Sequence, residues 1–141
     1  HSGHHKHSAY LIQNSELTGF TSPEIAVIAN VAYYHRGGLP KAKHEYYSDL
    51  RAQDREVARK LAALLRLADA LDRDHEGSVR GLRCEIEDDE VRIVALCSRE
   101  AETLRRRLEE RADLFAEVFG LEVELVTTLN TAGRPINELT A

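Results

Sequence analysis

The hydrophobic pattern changes period once, near residue 77, and that change restricts the chain to a mixed helix-and-sheet fold. From about Asp54 to Arg73, apolar residues fall at Val57, Leu61, Leu64, Leu65, Ala68 and Leu71. This is the 3.6-residue stripe of an amphipathic helix, whose apolar side is expected to face a core. Glu76-Gly77-Ser78 interrupts the stripe, and the spacing then drops to two. Leu82, Cys84 and Ile86 alternate with polar or charged neighbours, as Val91, Ile93 and Ala95 do after them. A two-residue turn at Asp88-Asp89 pairs Ile86 with Val91, Cys84 with Ile93 and Leu82 with Ala95. All six then share one face, so turn and register agree on a hairpin. Beyond it, Ser98 is placed to cap one last helix bearing Ala101, Leu104, Leu108, Phe115 and Val118, which ends at Gly120. Leu121, Val123 and Leu125 alternate once more as a third strand.

The first half reads as helical throughout. Residues 4–15 form one helix. Thr21-Ser22-Pro23-Glu24 opens a second, with Thr21 and Glu24 as a capping box and Pro23 in the first turn, where its missing N–H costs nothing. Ile25, Ile28, Ala29, Ala32 and Tyr33 follow at helical spacing, and Gly37-Gly38 and Pro40 end the helix. Residues 41–50 read as a polar loop. The expected architecture is α+β, a helical part over 1–76 followed by a β-β-α-β unit over 77–127 and a loose polar tail over 128–141. The chain opens without Met on a His-rich segment that runs into a patterned helix. That is expected of the C-terminal piece of a longer polypeptide.

A formal charge of −5 and a pI near 5.8 argue against a general nucleic-acid-binding surface, while local basic patches remain compatible. Cys84 and Cys97 lack metal-finger spacing and would not face each other across the hairpin, so two free thiols in a reducing cytoplasm are expected. No apolar run approaches the roughly 20 residues of a membrane span, and no signal peptide is visible. The motifs GxSxG, GxxxxGK, HExxH and GxGxxG are all absent.

The residues that can carry chemistry are imidazoles, carboxylates and guanidinium groups. His4, His5 and His7 cannot all point the same way on one helix, and His4 or His5 is better placed than His7 to face a polar pocket. The same residues also fit a solvated histidine cluster. His35 falls at a helix C-terminus, beside Arg36, where the dipole favours a protonated ring. Asp69 and Asp72 lie on or beside the apolar stripe, where a carboxylate needs a partner. Arg66 and Arg73 stand at helical spacing to Asp69 and offer an ion pair instead. Arg105-Arg106-Arg107 reads as a solvated helix face, or alternatively as a polyanion contact.

Three segments in order, HHKHSAYLI, GFTSPEIAVIANVAYYHRGGLP and LAALLRLADALDRDH, resemble the C-terminal region of the exopolyphosphatase/guanosine pentaphosphate phosphohydrolase (Ppx/GppA) family, over roughly residues 4–126. The resemblance implies an HD-like helical domain that follows two actin-like domains in the parent chain. It implies an enzyme that uses Mg²⁺ and water to remove a terminal phosphate from polyphosphate or guanosine pentaphosphate, by in-line attack. His4 or His5, His35 and Asp69 match the later metal ligands of HD domains. The adjacent His-Asp pair that would begin such a site does not occur in this chain. The expectation is therefore a domain that contributes to polyanion binding, through His4, His5, His35, Arg36, Arg105, Arg106 and Arg107, or to homodimerisation. The nucleophilic step would lie with the actin-like domains. A ligand-free interaction module and an autonomous HD-type metal phosphohydrolase are the alternatives.

Overall fold

The computed structural model describes residues 4–36, 38–98 and 102–129. The elements are α1 (His4–Gln13), α2 (Ser22–Tyr34), α3 (Glu45–Ser48), α4 (Ala52–Leu71), β1 (Val79–Glu87), β2 (Glu90–Cys97), α5 (Glu102–Glu109), α6 (Asp113–Phe119) and β3 (Glu122–Leu129). The fold is α+β. The chain divides into two compact units, residues 1–66 and 67–141, with the division inside α4.

In the first unit α1 packs on α2. The start of α2 is fixed as its sequence dictates: the Glu24 carboxylate accepts from both the backbone N–H and the hydroxyl of Thr21, each at 2.7 Å. The core of this unit is built from small and aromatic side chains, among them Ala9, Val27, Ala29, Tyr34, Tyr47, Ala58, Ala62 and Ala63. The expected polar loop over 41–50 needs correction. It contains α3, and Tyr47 and Leu50 are buried. Asn30 ties this segment to α2, its Nδ2 donating to the carbonyls of Ala26 at 2.9 Å and Tyr46 at 3.0 Å.

The orientation of α4 also differs from expectation. Of the stripe, Val57, Leu61, Leu64, Leu65 and Ala68 are exposed, Leu65 by 39%, and Leu71 is buried, along with Ala58, Ala62, Ala63 and Leu67 from outside it. The side of the helix turned inward is therefore the one rich in alanine, offset from the leucine stripe. The outward side chains Val57 and Leu61 join Phe20, Val27 and Ile28 along a groove of about 510 Å³.

The second unit holds a three-stranded sheet in the order β1-β2-β3. The hairpin forms in the register expected, with Leu82 opposite Ala95, Cys84 opposite Ile93 and Ile86 opposite Val91. Asp88 takes the left-handed conformation that the tight turn requires (φ 44°). β3 runs parallel to β2, which requires a crossover, and two helices supply it where one was expected. The hydroxyl of Ser98 donates to the Ser78 carbonyl at 3.2 Å, and α5 begins only at Glu102. The expected helix residue Ala101 lies outside the described residues. α6 ends on Gly120, which takes a positive φ of 67° that glycine adopts without strain, and its N–H donates to the Ala116 carbonyl at 2.9 Å. Both helices lie against β3. Leu108, Leu114 and Phe115 are buried, as are Val91, Ile93, Ala95 and Leu125 of the sheet. The third strand continues through Leu129, and residues 130–141 of the expected tail lie outside the described part.

Candidate functional site

The C-terminal end of α2 gathers several imidazole and phenol groups of the first unit. Tyr34, only 1% exposed, stands at its centre. Its ring meets Tyr33 at 4.9 Å and Tyr47 at 6.0 Å, both edge-on, and stacks on His44 at 5.8 Å. Its hydroxyl lies 2.8 Å from His44 Nδ1. Burial, seconded by Tyr33 and Tyr47, pushes the Tyr34 phenol up to about 12. It therefore stays a neutral hydroxyl, held in a hydrogen bond with the His44 ring. His5 packs edge-on against Tyr33 at 5.5 Å, which brings α1 to the same cluster.

His35 caps α2, and its Nδ1–H donates to the Ala32 carbonyl at 2.6 Å. That bond fixes the proton on Nδ1, so in the neutral ring the lone pair resides on Nε2. Arg36 follows, next to the carbonyl end of the helix, where cations are favoured. Arg66 is buried, and its Nη1 donates to the Tyr34 carbonyl at 3.2 Å, adding a second guanidinium at the same helix end. In the sequence Arg66 reads only as an ion-pair partner of Asp69, and His44 falls in the expected loop. The signal for both was spatial, since Tyr34 and Arg66 lie far apart in sequence.

The other expected site residues are distributed elsewhere. His4 opens α1, and its side chain lies outside the described residues. His7 is exposed. Asp69, in the second unit, has a side chain 10% exposed, with Arg73 Nη1 at 3.9 Å from its carboxylate. Asp72 is exposed and lies 3.5 Å from His75 Nδ1. Of the arginine run on α5, Arg105 and Arg106 are exposed, while Arg107 donates to Asp74 at 2.7 Å and is held more strongly protonated by that bond. Among the described residues, no group of three or more His, Cys, Asp or Glu side chains is arranged to hold a metal ion.

The first unit thus brings imidazole and guanidinium groups to one helix end. The Ppx/GppA phosphatase domain III family matches residues 1–118, and the chain belongs to that family. A curated relative, the guanosine-5'-triphosphate,3'-diphosphate pyrophosphatase of Pseudoalteromonas translucida (strain TAC 125), is 42% identical over 65 residues. The match takes in 46% of this chain and 12% of that relative, so the chain spans a small part of the protein it resembles. No helix among the described residues is long and apolar enough to cross a membrane.

Proposed function

We propose that this chain serves as the HD-like accessory domain of a Ppx/GppA phosphohydrolase, contributing contacts to a polyphosphate chain or to guanosine pentaphosphate. The phosphoryl transfer itself would be carried out elsewhere in the enzyme. The observation that carries this reading is the domain III match over residues 1–118. The end of α2 supports it locally. His5, His35, Arg36 and His44 offer N–H donors and cationic charge near one helix terminus, the chemistry that engages phosphate oxygens. Arg107, already matched to Asp74, offers less.

Calorimetric titration of the 141-residue chain with inorganic polyphosphate tests the reading. Binding without phosphate release is expected, and His35→Ala and Arg36→Ala should each weaken it several-fold with the fold intact by circular dichroism. Affinity unchanged in both variants, or an unaltered chain that does not bind, would remove the support for this role. Phosphate release that depends on added metal and is lost in Asp69→Asn would favour the autonomous hydrolase instead.

A further inference from the structure

The apolar face of the sheet is covered unevenly. Val91, Ile93 and Ala95 of β2 are buried, but their cross-strand partners on β1 are not: Leu82 is 46% exposed, Ile86 is 71% exposed, and Cys84 is exposed between them. β1 is also an edge strand, with one row of backbone N–H and C=O groups turned away from β2. Edge strands are ordinarily blunted by lysine, proline or a bulge. The irregularity in β1 lies between Val79 and Gly81, so the run from Leu82 to Ile86 is a regular ladder.

We propose that β1 is a homotypic interface, pairing antiparallel with β1 of a second copy about a twofold axis at Cys84. The register follows from two constraints. A two-residue turn makes the flanking pair, Glu87 and Glu90, a hydrogen-bonded pair, so alternate residues Glu85 and Arg83 also direct their backbone groups to β2. Leu82, Cys84 and Ile86 therefore direct theirs outward. A register that set these residues against Arg83 or Glu85 of the partner would leave the ladder unpaired and place apolar side chains beside charged ones. Of the symmetric registers that remain, centring on Arg83 sets arginine against arginine, centring on Glu85 or Ile86 sets glutamate against glutamate, and centring on Leu82 sets Cys84 against the partner's Arg80 and Arg83 against the partner's Gly81. Centring on Cys84 sets Leu82 against the partner's Ile86 and Arg83 against the partner's Glu85, each contact occurring twice.

Charge order on the opposite face favours the same solution. Glu124 of β3, Arg92 of β2 and Glu85 of β1 stand side by side in one cross-strand row. Arg92 Nε lies 2.7 Å from Glu124, and its Nη1 lies 3.9 Å from Glu85. The row alternates negative, positive, negative and ends on a carboxylate at the open edge, where the partner's Arg83 continues it. Within one copy Arg83 is paired with Glu85 along its own strand, so association exchanges that contact for the cross-strand one. The result is a continuous six-stranded sheet with the apolar strip of each copy extended by the other. This interface does not rest on the polyanion reading, since it involves neither the α2 end nor any ligand.

Sedimentation of the full 141-residue chain over a range of concentrations, with oxidised glutathione cross-linking as a second readout, tests the interface. A reversible dimer is expected, and oxidation should join two copies through Cys84, with glutathione reduced in exchange. Cys84→Ser should abolish the cross-link, because Cys97 is buried. Arg83→Glu should weaken the dimer at least about tenfold, by setting like charges opposite each other twice. Adding Glu85→Arg to that variant should restore it, which a merely unfolded variant would not do. A chain that stays monomeric throughout, a cross-link that survives Cys84→Ser, or a dimer indifferent to both charge changes would overturn the proposal.

Discussion

Tyr34 shows how one side chain can join packing and protonation. Its ring is enclosed by aromatic neighbours and its hydroxyl meets His44 Nδ1. Tyr34→Phe keeps the ring and removes the hydroxyl, so the expected loss is that of one hydrogen bond, about 1 kcal/mol, read from denaturant unfolding. The pH dependence has a definite sign. Burial raises the phenol from 10.0 to about 12 in the folded chain, so the folded state holds this proton more tightly than the unfolded state. The associated stability is fully present below pH 10 and is lost as pH rises through about 12. Unfolding measured between these values should show a decline in the unaltered chain that Tyr34→Phe lacks. An equal decline in both would show that Tyr34 does not ionise in this environment.

Helix α4 separates what hydrophobic periodicity reveals from what it leaves open. The stripe correctly marks a helix, but the buried side is the alanine side, offset from the leucines. Leu65→Ala should therefore cost about 1 kcal/mol or less, below the 2–5 kcal/mol of a buried leucine truncation. Ala62→Leu should cost about 1–3 kcal/mol by overpacking the close face. Thermal midpoints of the two variants check this, and a larger fall for Leu65→Ala would return the leucines to the core. The hairpin was legible to the residue, because a period of two combined with a two-residue turn leaves one register that keeps Leu82, Cys84 and Ile86 with their partners. Which of those six side chains would be covered was not legible, since coverage depends on where α5 and α6 lie over the strands. The cluster at the end of α2 was legible only in part. His35 follows from a helix boundary, whereas the Tyr34–His44 and Tyr34–Arg66 contacts are made by segments brought together in space.

At the scale of the whole molecule, a formal charge of −5 means that any polyanion must be met by local groups against an unfavourable average field. Much of the positive charge in the second unit is already answered. Arg92 lies within 4.0 Å of Glu85, Glu87, Glu90 and Glu124, and Arg107 is bound to Asp74. The variable part is histidine: seven imidazoles, once protonated, more than offset the formal charge. Imidazoles ordinarily gain protons below about pH 6.5, so polyphosphate affinity should rise as pH falls through that region. It should weaken with added salt, because the attraction rests on charges screened over about 10 Å at 0.1 M ionic strength. Arg107→Ala should leave affinity nearly unchanged while His35→Ala lowers it several-fold, since the Arg107 guanidinium is already matched to Asp74. Titrations at two pH values and two salt concentrations measure each effect separately. An affinity that falls as sharply on loss of Arg107 as on loss of His35 would move the contact from the end of α2 to the arginine face of α5.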